Sequence, residues 1–452
     1  MAERERPDRG SPERGKQDPE KRRAASARSS AAGRNGDPRE AARLPPERSA
    51  LIHDWNVGEG FLPLRSGIEF DDETLRDGLQ SPSVVDPPIE AKLEILRLMD
   101  RIGIHTADVG LPGAGPRAVE AVTALCRLIA EERLAITANC AARTHENDIL
   151  AISRIQQETG VPIEACTFIG SSPIRQYAED WTLEKMLAHT REASDLCRRE
   201  GLRQMFVTED TTRAAPETLR ALYGAAIEHG ARRICVCDTV GHATPVGVRN
   251  LIRFVKEIAA ESGEAVKVDW HGHRDRNLDI INSIAAIEAG ADRIHGTALG
   301  IGERCGNTSL DLLLVNLKLW GAIDQDLTEL PRYVRAVSEA CRVPIPKNYP
   351  VFGDDAFETA TGVHAAAVIK AFKKNDPWLA NRVYSGVPAD VFGLEQKISI
   401  GPMSGRSNVI YWLERREIEA SDARVEAIFR TAKQSNRLLT DAEILEVLAG
   451  VG

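Results

Sequence analysis

The sequence predicts an α/β fold, a (β/α)8 barrel followed by a mainly helical C-terminal arm. Three observations carry that expectation. From Gly67 onward, short β-branched runs alternate with amphipathic stretches of helical length. The alternation repeats eight times over about 250 residues, the size of such a barrel. Unusual polar residues also collect directly after the strand runs, where barrel enzymes hold their chemistry. A doubly wound open sheet alternates in the same way, so the periodicity alone leaves that alternative standing.

The strand runs are residues 68–71, 106–110, 134–141, 163–170, 204–210, 233–238, 266–271 and 293–298. Helices are expected between and after them at 89–102, 116–131, 146–158, 182–200, 216–229, 245–261, 277–289 and 309–320. Leu93, Leu96 and Leu98 form part of one apolar stripe of this kind. Pro116, Pro216 and Pro245 fall at helix starts, where a missing N–H costs nothing. Gly103, Gly201, Gly230 and Gly290 follow helix ends as C-caps. Past Pro331 the pattern changes: Pro344, Pro346 and Pro350 mark an extended connector, and helices are expected at 355–373, 408–417, 422–434 and 440–449. The resulting division is a disordered tail over 1–50, a barrel over 66–330 and a helical linker and dimerisation arm over 331–452.

The tail is expected because Val, Ile, Leu, Phe, Tyr and Trp are all absent before Leu44. Its 11 Arg and 2 Lys against 9 acidic residues make a net +4, so a chain of net charge -9 has a body of -13. Bulk attraction to nucleic acid is excluded on that balance. No apolar run approaches the ~20 residues a membrane helix needs, and the eight cysteines lack the density of a disulfide framework. The chain reads as soluble and cytoplasmic, with no nucleic-acid or membrane partner.

His271-Gly272-His273 is the sharpest local signal, since residues i and i+2 of an extended chain point the same way and both imidazoles can face one ion. Asp77, at the end of the first strand, supplies a plausible carboxylate for a site of two imidazoles and one oxygen ligand. Arg76 beside it is a fixed cation suited to charge that develops in a reaction; its structural alternative is an ion pair with Glu209 or Asp238. Cys235 and Cys237 share one strand face and read as core residues. Gly300 and Gly302 fit either a close approach to a phosphate or thioester, or a tight turn.

Taken in order, three motifs resemble the metal-dependent barrels that include 2-isopropylmalate synthases, homocitrate synthases and, more distantly, hydroxymethylglutaryl-CoA lyases. They are Leu75-Arg76-Asp77-Gly78-Leu79-Gln80, His271-Gly272-His273-Arg274-Asp275 and Gly300-Ile301-Gly302-Glu303-Arg304-Cys305-Gly306-Asn307. The resemblance implies a divalent metal (Mg, Mn or Zn) on Asp77, His271 and His273, with Asn307 in or beside that set. It implies Arg76 and Glu209 as catalytic groups and Thr239 as a holder of the keto-acid carboxylate. Thr361-Gly362-Val363-His364 and Tyr384-Ser385-Gly386-Val387-Pro388 resemble the synthase segments whose histidine and tyrosine enter a partner subunit's barrel, so His364, Tyr384 and a homodimer follow from the likeness. The activity implied is a Claisen-type condensation of acetyl-CoA with a 2-keto acid, 2-isopropylmalate synthase of leucine biosynthesis first. Ser171 to Tyr177 are more like homocitrate synthases, where an arginine at the place of Arg175 meets a distal carboxylate. A homocitrate- or citrate-forming synthase, a cleaving lyase and a non-catalytic relative are the alternatives. Arg274 and Asn277 depart from the family pattern, which has Asn or Asp and then Gly at those places.

Overall fold

In the computed structural model, residues 46–56, 64 and 66–451 are described. Most of the expected tail, 1–45, lies outside them; its end, Pro46–Leu51, forms a 3-10 helix. The chain divides into two compact units, Met1–Val57 and Gly58–Gly452, and the candidate site residues named above all belong to the second.

The second unit opens with the barrel. Its strands are β1 (Glu69–Asp72), β2 (Thr106–Asp108), β3 (Thr137–Arg143), β4 (Ile163–Gly170), β5 (Arg203–Glu209), β6 (Arg233–Asp238), β7 (Lys267–Gly272) and β8 (Arg293–Gly296). They close in the order 1 to 8, all parallel, with Glu69 of β1 in register with Arg293 of β8. The open-sheet alternative is thereby excluded. Helices α1 (Ile89–Arg101), α2 (Pro116–Glu132), α3 (Glu146–Thr159), α4 (Pro173–Glu179), α5 (Leu183–Arg199), α6 (Pro216–Glu228), α7 (Pro245–Glu261), α8 (Asp279–Ala289) and α9 (Leu310–Leu319) connect and follow them. Pro116, Pro216 and Pro245 each occupy the first helical turn, and Gly103, Gly201, Gly230 and Gly290 all take positive φ at or just after helix ends.

Strand alternation divides the residues cleanly. Phe70, Ala107, Ala165, Phe206, Ile234, Val268, Trp270 and Ile294 point out into the apolar layer beneath the helices. Their neighbours in sequence face the barrel axis, where Cys166, Met205, Cys235 and Cys237 form a separate small cluster. The two β6 sulfurs are 3.8 Å apart and buried, though both also line the cavity at the barrel mouth.

Differences from the expected elements are local. The third strand starts at Thr137, and α4 was not expected; it is a short helix capped by Ser172, whose Oγ accepts from the Arg175 backbone N–H at 3.3 Å. The region expected as one helix from residue 355 begins instead with β9 (Glu358–Thr359), paired in parallel with β10 (Lys397–Ile398), and the helix α11 starts only at Gly362 and runs to Lys373.

The barrel's packing also runs past the boundary placed at residue 330. Helix α10 (Leu330–Cys341) buries Tyr333, Val334, Val337 and Cys341 in the main apolar cluster, joined by Val351, Phe357, Ala389 and Phe392. The Tyr333 hydroxyl donates to Asp72 on β1 and lies 3.0 Å from the Thr74 hydroxyl, which in turn accepts from the Ala298 N–H at 2.9 Å. One phenol thus ties α10 to the seam between the first and last strands. Tyr333→Phe is expected to lower unfolding free energy by about 1–3 kcal/mol in urea titrations, because it strands a buried carboxylate oxygen.

Beyond this point α12 (Pro377–Ala380), α13 (Arg406–Glu414), α14 (Asp422–Gln434) and α15 (Asp441–Ala449) complete the arm. Val409, Trp412, Leu413, Val425, Ile428 and Ile444 make its own small core. Among the described residues, no helix is long and apolar enough to cross a membrane.

Candidate metal centre and substrate cavity

At the C-terminal ends of the strands the barrel opens into a cavity of about 210 Å³. The inward parity of each strand decides what lines it. His271 is the last residue but one of β7, and His273 lies two residues on; their Nε2 atoms are 3.1 Å apart. The turn after β1 brings Asp77 Oδ2 to 3.5 Å from His271 Nε2 and 3.8 Å from His273 Nε2. Asn307 joins them through a backbone bridge to His273. Close packing of the loop after β8 makes this bridge: a Cβ on Gly302 would lie 2.2 Å from Asn307 Nδ2, and one on Gly306 would lie 1.8 Å from the Gly300 carbonyl oxygen, both at positive φ. The glycines therefore serve a turn that seats Asn307.

These residues fit a divalent ion. Asp77 Oδ1, His273 Nδ1 and Asn307 Oδ1 are buried without hydrogen-bond partners, and Asp77, His271 and His273 can all offer an atom to one cation. Unpaired buried polar atoms are costly unless something is meant to meet them. Burial would raise the Asp77 carboxyl, but Arg76 and His271 beside it hold it below the usual range, so it is ionised. Burial and the neighbouring His271 push His273 down to about 4, which keeps its imidazole neutral and able to ligate. Such a set of nitrogen and oxygen donors suits Mg, Mn or Zn.

Arg76 projects from the same turn into a ring of carboxylates. Its Nε donates to Asp108 Oδ2 at 2.7 Å, Nη1 lies 3.3 Å from Asp77, and Nη2 bonds Glu73. The expected pairing with Glu209 or Asp238 is not what forms; three nearer acids take its place. One guanidinium cannot neutralise all three, and burial pushes Asp108 up to about 7. Glu209 lines the opposite wall, its carboxyl also raised by burial with Arg175 opposing. Thr239 lines the cavity beside it, with its Oγ accepting from the Asp210 N–H at 2.8 Å, which leaves its own proton free to donate.

Arg175 does not line the cavity. Its guanidinium is 46% exposed and pairs with Glu179 at 3.3 Å, while its stem lies against Gly170 at the end of β4. His364 and Tyr384 are also outside: they stack on each other in the arm, with ring centroids 4.3 Å apart, and Tyr384 is 49% exposed. Arg274 turns away from the ion site to Ser309 Oγ at 3.0 Å, and Asn277 takes the left-handed conformation a glycine would use there. These departures leave the ligand atoms in place.

Three residues at the site were not anticipated. Asp108, Glu73 and His295 are all inward-facing cavity residues. Period-two alternation along Glu69, Asp71 and Glu73 was the available signal for Glu73, and the same alternation runs Arg293, His295 on β8.

The HMGL-like family model matches residues 67–337. Homocitrate synthase AksA of Methanopyrus kandleri is 32% identical over 386 residues, which are 84% of this chain and 91% of that protein. A probable 2-isopropylmalate synthase of the same organism is 34% identical over 80% of this chain and 68% of its own length. Among solved structures, a hydroxymethylglutaryl-CoA lyase of Bacillus subtilis has the same fold, with a TM-score of 0.53 at 18% identity, over 63% of this chain and 97% of the lyase.

Proposed function

The chain belongs to the HMGL-like family, among its acetyl-CoA-condensing synthases, and from that premise we propose that it joins the methyl carbon of acetyl-CoA to the carbonyl carbon of a 2-keto acid with a small apolar substituent, as a 2-isopropylmalate synthase does with 2-oxoisovalerate. The observation that carries the choice of substrate is the apolar part of the cavity lining, the cluster of Cys166, Met205, Val207, Cys235 and Cys237. That surface offers an isopropyl group apolar contact and offers a second carboxylate nothing.

A divalent ion on Asp77, His271 and His273 would supply Lewis-acid polarisation of the keto-acid carbonyl. The chain's own residues do the rest. Thr239 donates its hydroxyl proton to the substrate carboxylate. Arg76, fixed on three acids, opposes negative charge as it develops on the thioester oxygen. Asp108 and Glu209, the two cavity carboxyls raised above their ordinary range, are suited to accept the methyl proton and to handle the water that releases the thiol. His364 and Tyr384, stacked and outward-facing, are suited to reach the barrel of a second copy in a homodimer.

A homocitrate-type reading is favoured by one observation, the nearness of Arg175 to the Glu209 wall. Thiol release from acetyl-CoA across a panel of keto acids decides between them. kcat/KM for 2-oxoisovalerate is expected to exceed that for 2-oxoglutarate by about 10²-fold or more. The reverse preference would establish the dicarboxylic reading, and no release with any keto acid would sink the synthase reading altogether.

A further inference from the structure

Behind the two histidines a line of buried ions runs from the cavity down the barrel axis. Glu73 Oε1 lies 3.1 Å from His271 Nδ1 and 2.6 Å from His295 Nδ1. His295 Nε2 lies 3.1 Å from Asp269 Oδ2, the oxygen that also accepts from Arg293 Nε at 2.7 Å. Asp269 Oδ1 accepts from Arg233 Nη1 at 2.6 Å. Asp269, His295 and Arg293 are each at most 1% exposed.

Resting on the metal-site reading above, we propose that Glu73 is a positioning residue for the metal centre: it accepts the Nδ1–H of His271, fixes the tautomer that leaves Nε2 as the ligand atom, and is itself held in place by the His295–Asp269 pair. The donor and acceptor geometry fits this order. His295 has a carboxylate oxygen at each ring nitrogen, an arrangement suited to donation from both. Glu73 faces that ring and the Arg76 guanidinium, and the same Oε1 lies within reach of His271 Nδ1. With that oxygen as acceptor, His271 donates from Nδ1, which turns its Nε2 lone pair toward Asp77 and His273. His273 has no such backing, its Nδ1 being buried and unpartnered. The two histidines are therefore unequal: His271 is preset, and His273 adapts to the ion. Outer partners of this kind change metal affinity by about 10–100-fold when removed.

Calorimetric titration of chelator-stripped, full-length protein with Mn²⁺ at fixed pH tests the assignment. The wild type is expected to bind one ion per chain, Glu73→Gln to bind one ion 10–100-fold more weakly, and Glu73→Asp to recover part of the loss. The visible spectrum of the Co²⁺-loaded protein is expected to shift in Glu73→Gln as well. Wild type that binds no ion overturns the metal reading and this inference with it. Equal affinity in Glu73→Gln overturns this inference alone. Two ions per chain would make Glu73 a ligand, since it could share a cation with His271 and His295, and would overturn its positioning role. Because the variant removes a buried charge, the tautomer is also read in unaltered protein: ¹⁵N spectra of the metal-free wild type should show His271 protonated at Nδ1, and protonation at Nε2 overturns the proposal.

Discussion

His271→Ala is expected to lose divalent-ion binding and to release thiol from acetyl-CoA at less than about one-thousandth of the wild-type rate, with the fold retained. The magnitude follows from what a Lewis acid contributes at a carbonyl, several kcal/mol, at 1.36 kcal/mol per tenfold in rate. The fold should survive because the deleted ring sits at the cavity wall, and Glu73 keeps Arg76 and His295 as partners. Metal content of the purified variant and its circular dichroism are the measurements. A variant that is active without metal would reject His271 as a ligand.

Arg76→Met is expected to cost about 10²–10³-fold in kcat, the usual loss when one donor to a developing negative charge is removed. Its second effect distinguishes it from His271→Ala. Arg76 is the main influence holding Asp77 below the ordinary carboxylate range against burial. Without it the Asp77 pKa rises, so protons compete with metal as pH falls, and ion binding should be lost at a higher pH than in wild type. Arg76→Lys should not restore the rate, because a point charge cannot contact Asp108, Glu73 and Asp77 from three nitrogens at once. Wild-type activity in Arg76→Lys would mean that charge alone matters at this position.

Much of this molecule is written in local pattern. Proline at helix starts, glycine at helix ends and β-branched runs of four to eight residues are local constraints, and the eight-fold alternation of the barrel follows from them. His271-Gly272-His273 was legible for the same reason, since two residues on one strand face need no tertiary knowledge. What escaped depends on closure. Arg76 finds Asp108 from β2 rather than Glu209 from β5, and only the ring's strand order makes one acid nearer than the other. Glu73 follows Asp71 and Asp72 in the chain, and alternation sends Asp72 outward to Tyr333 and Glu73 inward to the histidines. Arg175 was assigned to the pocket by motif, yet the short helix α4 turns its guanidinium to Glu179. Helix α10 begins at Leu330 and Pro331, a stretch past which no helix was expected until residue 355.

The closed order of the strands has a kinetic consequence. Glu73, just past β1, and His295 of β8 are 222 residues apart in the chain, and Arg293 of β8 meets Glu164 of β4 across the barrel as well as Asp269 of the neighbouring β7. Glu73 lacks His295, and Arg293 lacks Glu164, until the two ends of the strand order have come together. An incomplete ring therefore keeps its axis charged and hydrated, and it gains little by collapsing around it. Loop-closure entropy must be met before these contacts form, so pairing of β1 with β8 is expected to come late in folding.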